Sequence, residues 1–341
     1  MAYNTFVTHT DVITLTKPII NVPNTGILDN ITLRFRVTLK NNSASPITVT
    51  ADELLNACPR LALKSDGNIS HVDTSAYALA LVNAFRETKS VSPFKRIGNT
   101  TVGANTTATK EFFLKINEGD ILACNKKSLT LEVGFNANVK QNITIEAASV
   151  MPTYSMGVVE DTEADLTSKY GDSAELAAEP KIYTMEVDVP ANTTLTPVLS
   201  LQYGSLIRRA IICCHSLDTA KGTASIIPDV TPDSIGLIAT NPTRNILIDA
   251  DAATFREKQD DQYFIDDIEN RPEGAYLLDF ANTLAADGMG LKGWRLGVDD
   301  FRLAIKTPVP CRMRVIFIEH VVNTTAFDAG YMPILESPLG F

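Results

Sequence analysis

The sequence predicts an all-β chain, built as two consecutive β-sandwiches with a few short flanking helices. Three observations carry that reading. Strand-like segments with period-two alternation run through both halves, punctuated by Gly, Pro, Asn and Ser. Several of these patterns recur in the same order further along the chain. Between the halves lies VVEDTEADLTSKYGDSAELAAEP (158–180), which is polar, acidic and poor in large apolar side chains, the composition of a connector.

In the first half the strand candidates are DVITLT (11–16), NITLRFRVTLK (30–40), PITVT (46–50), RLALK (60–64), EFFLKI (111–116), LTLEVGF (129–135) and NITIEA (142–147). Two helices interrupt them. TADELLNA (50–57) offers Thr50 as an N-cap with Glu53 three residues on, the capping-box pairing of a hydroxyl and a carboxylate with each other's backbone N–H. DTSAYALALVNAFRE (73–87) is Ala-rich and fits a helix starting near Asp73.

In the second half come YTMEVDV (183–189), LIRRAIICCHS (206–216), IGLIAT (235–240), NILIDA (245–250), AYLLDFA (275–281), and then 300–306 and 311–321. DAATFREKQDDQYFIDDI (251–268) is the third helix candidate. In the last two strands Phe301, Leu303 and Ile305 alternate with Arg302, Ala304 and Lys306. Met313, Val315 and Phe317 alternate with Arg312, Arg314 and Ile316, which predicts a half-buried strand.

The recurrence is specific enough to test. Gly26-Ile27-Leu28 ahead of Ile31 matches Gly204-Ser205-Leu206 ahead of Ile211, and Phe112, Leu114 and Ile116 match Phe301, Leu303 and Ile305. Val133 and Phe135 match Val315 and Phe317. The offsets are 178, 189 and 182 residues, differences that surface insertions absorb. This predicts a duplicated sandwich, with 111–135 and 300–321 as equivalent closing hairpins.

Composition narrows the function classes. With 341 residues and 45% hydrophobic content the chain can bury a large core, and no run approaches the roughly 18 apolar residues of a membrane helix. MAYNTFVTHTDVITLTK lacks a basic start followed by an apolar stretch, which argues against export by the usual route. Five cysteines give no disulfide framework. Cys58, Cys124, Cys213, Cys214 and Cys311 read as reduced core residues, and adjacent strand residues such as Cys213 and Cys214 face opposite sides, so CCH does not read as a metal site. Residues 1–170 carry 16 basic and 16 acidic side chains; residues 171–341 carry 14 and 24, so the second half holds the whole net charge of −10. No basic block exists to displace counterions from phosphate, so direct sequence-specific nucleic-acid binding is not expected.

Catalytic constellations are missing at the sequence level. The four histidines (His9, His71, His215, His320) are scattered, and no P-loop, G-x-S-x-G or H-E-x-x-H appears. Gly288, Gly290 and Gly293 form a literal G-x-G-x-x-G, but the strand-like WRLGVDDFRLAI follows where a phosphate-binding helix should open. Asp260/Asp261, Asp266/Asp267 and Asp299/Asp300 are adjacent pairs, not carboxyls opposed across a cleft. The stretch 249–273, with nine acidic and three basic residues, reads as a solvated acidic loop, with a divalent-cation site as the alternative. Asn-x-Ser/Thr at Asn30, Asn41, Asn68, Asn99, Asn105, Asn142, Asn192 and Asn323 reflects an Asn- and Thr-rich chain rather than glycosylation. No enzyme activity and no cofactor are expected.

NVPNTGILDNITLRFRVTL (21–39) and PANTTLTPVLSLQYGSLIRRAIICC (190–214) each open a sandwich, and GWRLGVDDFRLAI (293–305) with MRVIFIEHV (313–321) closes the second. In these segments and their order the chain resembles the double jelly-roll major capsid proteins of tailless icosahedral viruses of bacteria or archaea. The resemblance spans most of the chain and is one of architecture, without a diagnostic motif. It implies two jelly rolls, 1–165 with an N-terminal arm and 166–341 with a C-terminal arm. It further implies a homotrimeric capsomer of nearly hexagonal outline, tiling an icosahedral shell in the virion after assembly in the host cytoplasm. The partners implied are the chain itself, neighbouring capsomers, minor capsid or vertex proteins, and in some lineages an internal viral membrane. A carbohydrate-binding pair of sandwiches and a minor capsid or vertex protein are the alternatives; the first needs an aromatic platform, and Trp294 is the single tryptophan. The arms supply the candidate inter-subunit contacts: Tyr3 and Phe6 at the start, and Phe327, Tyr331, Met332, Ile334, Leu335, Leu339 and Phe341 at the end.

Overall fold

The computed structural model describes residues 4–8, 11–86, 92–158, 178–194, 206–217, 228–239, 245–263, 274–280, 294–295 and 301–322. The strands up to the connector are β1 (Asn4–Thr8), β2 (Ile13–Thr14), β3 (Ile19–Asn21), β4 (Gly26–Asn41), β5 (Ile47–Val49), β6 (Arg60–Ser65), β7 (Ile69–Thr74), β8 (Thr100–Val102), β9 (Thr107–Ile116), β10 (Ile121–Leu122), β11 (Leu129–Gly134), β12 (Asn138–Lys140) and β13 (Ile143–Val158). After it come β14 (Ala178–Val189), β15 (Leu206–Ser216), β16 (Ser234–Ala239), β17 (Asn245–Asp251), β18 (Ala275–Asp279), β19 (Trp294–Arg295), β20 (Phe301–Lys306) and β21 (Cys311–Val322). The helices are α1 (Ala51–Asn56), α2 (Ala76–Arg86), α3 (Pro93–Ile97) and α4 (Ala252–Tyr263).

Each half is wired as a jelly roll. In the first, β1 and β2 act as one interrupted strand beside β13, followed by β4 and then β9; the facing sheet runs β3-β11-β6-β7. Numbered along the chain without the short β5, β8, β10 and β12, the eight principal strands fill two sheets in the order 1-8-3-6 and 2-7-4-5, which is the jelly-roll order. The second half repeats it: β14-β21-β15-β18 is 1-8-3-6, and β20-β16-β17 is 7-4-5. The place of its second strand falls between β14 and β15, where residues 195–205 lie outside the described set.

Alternation puts these strands where they are. Along β4, Ile31, Leu33, Phe35, Val37 and Leu39 are buried while Arg34, Arg36 and Lys40 are exposed. Phe35 stacks on Phe112 of β9 with ring centroids 4.7 Å apart. Burying each such side chain stabilises the fold by about 1.5–3 kcal/mol. The capping box at α1 is present: Thr50 Oγ1 accepts the Glu53 N–H, and Glu53 Oε2 accepts the Thr50 N–H at 2.9 Å. α2 begins at Ala76 rather than near Asp73, because Asp73 and Thr74 are held in the β6–β7 ladder and the hydroxyl of Ser75 accepts the Ala78 N–H. α3 was not expected, although Ser92-Pro93 is an N-cap followed by a proline at the first helical position. α4 starts where Asp251 Oδ1 accepts the Thr254 N–H at 2.9 Å, and these hydrogen bonds hold the Asp251 carboxyl below its ordinary range.

The expected equivalence of 111–135 with 300–321 is wrong, and neither segment is a hairpin. β9 and β11 are the sixth and seventh strands and lie in opposite sheets; β20 and β21 are the seventh and eighth and also lie in opposite sheets. The true counterpart of β20–β21 is β11–β13. Any strand with one buried face shows the same period-two beat, so pattern alone slipped the match by one strand. The match of the Gly26 and Gly204 segments is right in topology, since β4 and β15 are both third strands.

The two rolls are joined edge to edge. β14 runs parallel to β7, with Ile182 opposite Val72 and Tyr183 opposite Asp73, so one sheet continues from β18 through β15, β21, β14, β7, β6 and β11 to β3. One apolar core fills the second roll. The other fills the first roll and extends past its helices to the outer face of β14-β21-β15-β18.

Candidate functional site: the seam between the rolls

That shared core makes the seam. Cys213 and Cys214 are neighbours on β15, yet Cys213 belongs to the core shared with the first roll and Cys214 to the interior of the second. Ile211, Leu277, Ile316 and Ile318 lie with Cys213, in one cluster with the α2 residues Tyr77, Leu81 and Phe85. Tyr77 is 1% exposed, and burial pushes the pKa of its hydroxyl up.

β21 therefore departs from the half-buried strand expected of it. Ile316 and Ile318 are fully buried on the supposed solvent side, and Arg314 is 9% exposed. The signal was the unbroken apolar run Val315–Ile318, which marks a strand covered on both faces.

Several charged groups along the seam are paired, while both ring nitrogens of the buried His215 lack a hydrogen-bond partner among the described residues. Arg314 Nε donates to Glu186 Oε1 at 2.7 Å, and Arg312 Nε donates to Asp188 Oδ1 at 2.8 Å, which holds the Asp188 carboxyl below its ordinary range. Beside them His215 is 1% exposed, and burial, reinforced by Arg314, pushes its imidazole down to about 4. At the other end the Arg209 guanidinium donates to the Glu118 carboxylate of the first roll, and His320 Nε2 lies 3.0 Å from the Glu118 carbonyl. Burial, and the nearby Arg208, push His320 down to about 4. Lys126 Nζ pairs with Glu179 Oε1 at 2.6 Å, and His71 bridges toward the same carboxylate (3.9 Å) and to the Ser65 hydroxyl (2.9 Å). Gly119 sits against His320 with φ of +152°; a Cβ there would lie 3.1 Å from His320 Nε2.

A narrow cleft lies along this joint, lined by His71, Glu118, Gly119, Ile116, Pro180 and Ile182 among others. Its lining is largely aliphatic, with the carboxylates of Asp29 and Glu118 among it. Among the described residues no three His, Cys, Asp or Glu side chains converge as a metal site. Within the second roll's core, Cys214 donates its thiol hydrogen toward Cys311, which raises its own pKa and lowers that of Cys311 to about 7. What this arrangement does is mechanical: it locks two rolls into one block through apolar packing and ion pairs.

The equivalent outer face of the first roll, on β13-β4-β9, carries exposed side chains. Arg34, Arg36, Lys40 and Phe113 project from it, Phe113 at 48% exposure, with Arg34 paired to Glu111 at 2.7 Å and Lys40 3.9 Å from Glu146.

Of the arm residues expected to cross between subunits, Phe6 lies in β1, whose backbone pairs with β13 of its own roll opposite Ser155. Tyr3, Phe327, Tyr331, Met332, Ile334, Leu335, Leu339 and Phe341 lie outside the described residues, as do Gly288, Gly290 and Gly293 and the acidic residues 264–273. Trp294 is in β19, paired with Ile207.

No protein-family model and no curated protein matches the sequence. Solved structures do match. The STIV MCP superposes with a TM-score of 0.77 at 14% identity, over 96% of this chain and 99% of that one. A chain from the atomic structure of Sulfolobus Turreted Icosahedral Virus gives 0.75 at 14% identity, over 95% and 93%. The major capsid protein P2 of Bacteriophage PM2 gives 0.56 at 11% identity, over 94% and 98%. The chain has the double jelly-roll fold of these proteins, over 94–96% of its length.

Proposed function

We propose that the chain is a structural major capsid protein, assembling as a homotrimer of nearly hexagonal outline that tiles an icosahedral shell. The observation that carries this reading is the end-to-end match: both rolls, and the way they are joined, correspond over 96% of this chain and 99% of a capsid protein of the same fold. The seam supports it physically. A capsomer needs six rolls in fixed relation, and here two are already fused by the β7–β14 ladder and a common core. Three such blocks around one axis supply the rest, and closed cyclic symmetry is the usual solution for an oligomer.

On this reading the division falls in the stretch 158–180, giving rolls 1–165 and 166–341. The chain is a virion component assembled in the host cytoplasm, and its partners are its own copies, neighbouring capsomers and minor capsid or vertex proteins. It works without catalysis. Light scattering coupled to size exclusion should report about three chain masses, and negative-stain microscopy should show hexagonal particles or shells. A persistent monomer at micromolar concentration would refute the trimer.

A further inference from the structure

Two of the five cysteines are set against each other. Cys214 on β15 and Cys311 on β21 belong to the same apolar cluster inside the second roll, and each is 0% exposed. In the ladder between these strands Cys214 stands opposite Met313, and Ser216 stands opposite Cys311. The two thiols therefore occupy diagonal positions on one face of the sheet, with the Cys214 thiol donating toward the Cys311 sulfur. Cys213, next along β15, faces the seam on the other side.

The surroundings of Cys311 make this pair more than packing. Cys311 forms the terminal pair of both its ladders, with Val189 and with Ser216, directly after the exposed turn Pro308-Val309-Pro310. Diagonal neighbours have Cα atoms about 7–8 Å apart, slightly beyond the span of a relaxed disulfide, so bridging them takes a shift on the order of 1 Å. A strand end is where the backbone can give that much. The Cys214 thiol and the buried Thr307 hydroxyl both favour the thiolate at Cys311, the form that reacts with oxidants. Ser216 and the turn are exposed, so the pair lies just beneath the end of the roll, within reach of a small oxidant.

We infer that Cys214 and Cys311 form a reversible disulfide that ties the third strand of the second roll to the eighth. With hydrogen peroxide as the oxidant, the Cys311 thiolate attacks one peroxide oxygen and the O–O bond breaks. Cys311 becomes a sulfenic acid, and the hydroxide released takes up the proton that Cys311 lost on ionising. The Cys214 sulfur then attacks the Cys311 sulfur; the S–O bond breaks and the departing hydroxyl leaves as water with the Cys214 proton. Two thiols are oxidised to one disulfide, and one peroxide is reduced to two waters. The bond closes the chain around β16, β17, α4, β18, β19 and β20, which constrains the unfolded state. Strain at the bridge makes it easy to reduce, so thiol reductants reopen it. The dithiol suits a reducing compartment and the disulfide an oxidising one.

Peptide mapping of the full chain tests the bond. The reduced, folded protein is treated with a small excess of hydrogen peroxide, blocked with iodoacetamide and digested without reductant. The expected product is a linked peptide pair joining Cys214 to Cys311, lost after dithiothreitol. Cys213→Ser should keep the link, and Cys214→Ser should abolish it. The oxidised chain should unfold about 5 °C above the reduced chain, and the difference should vanish in Cys214→Ser and on reduction. Far-UV circular dichroism checks that each variant is folded, and fragment spectra of the wild-type product distinguish Cys213 from Cys214 even where a variant fails to fold. A link through Cys213, or Cys311 oxidised only to sulfinic or sulfonic acid, would overturn the inference. So would a link that forms only after denaturation, or one that leaves the unfolding temperature unchanged.

Discussion

The side chain of Asn83 in α2 closes a two-point hydrogen bond on the backbone of Lys115 in β9: its Oδ1 accepts the Lys115 N–H and its Nδ2 donates to the Lys115 carbonyl, both at 2.8 Å. Among the described residues β9 pairs with β4 alone, so its far edge carries backbone groups that no described ladder uses. The amide of Asn83 stands in for the peptide of a further strand. Natural sheets seal edges in such ways because an open row of N–H and C=O groups invites pairing with another chain.

Asn83→Leu should therefore cost more than its loss of polarity suggests. It removes two hydrogen bonds and leaves partly buried backbone groups unpaired, each worth about 1–3 kcal/mol when stranded. Chemical denaturation should show a loss in that range. Asn83→Asp, which keeps the acceptor and loses the donor, should fall between. Wild-type stability in Asn83→Leu would mean that water replaces the amide at no cost.

Acid should loosen the seam before it attacks the carboxylate pairs. His320 is held neutral by burial, with its pKa pushed from 6.5 to about 4. Between those values the unfolded chain binds the proton and the folded chain does not, so stability is fully present above about pH 6.5 and falls as pH drops toward 4. The shift corresponds to a loss on the order of 3 kcal/mol at pH 4. Around His320 stand Glu118, Arg208 and Arg209, and the guanidinium charges oppose its protonation. His215 is lowered to about 4, and burial lowers His71 in the same direction. His320→Gln should flatten the slope of unfolding free energy between pH 6.5 and 4. An unchanged slope would assign the acid sensitivity to other groups.

Much of the fold was legible because its strands are half-buried, and a half-buried strand writes its period into the sequence. β4 and β9 announce themselves through Leu33, Phe35 and Leu114 against Arg34, Arg36 and Glu111. The α1 capping box was visible because Thr50 and Glu53 are local partners. What could not be read was anything set by the second roll lying against the first. Ile316 looks like a solvent-side residue until α2 and its neighbours cover it. β7 was overlooked because ISHVDT is polar for a strand; its pairing with β6 and β14 comes from position rather than composition. The seam ion pairs Arg209–Glu118 and Lys126–Glu179 join residues far apart in sequence, and no local pattern signals them.

Ile316 gives that contrast a number. As a residue on a half-exposed strand face, its replacement by Ala would cost little. As a residue buried against the first roll, with no exposed surface, Ile316→Ala should cost about 2–5 kcal/mol through lost burial and the cavity left behind. Differential scanning calorimetry of the variant should show a clear drop in unfolding temperature. A change of a degree or less would indicate that the seam opens freely and that the rolls are not one cooperative block.

The C-terminal segment AFDAGYMPILESPLGF (326–341) follows the last strand of the second roll, after the eight positions of the jelly-roll order have been passed. It nevertheless carries Phe327, Tyr331, Met332, Ile334, Leu335, Leu339 and Phe341, with Pro333 and Pro338 discouraging regular structure. Each large apolar side chain left in water forgoes about 1.5–3 kcal/mol of burial. On the proposed capsid reading, the surface of a neighbouring subunit is there for such a segment to lie on. Deleting residues 330–341 should then leave the β signature and unfolding temperature near those of the full chain. Assembly should weaken, visible as monomer at concentrations where the full chain is trimeric, or as trimers that no longer form shells. If the truncated chain assembles like the full one, the segment packs only on its own subunit. If the truncated chain unfolds, the segment belongs to the core of the second roll and the contact between subunits lies elsewhere.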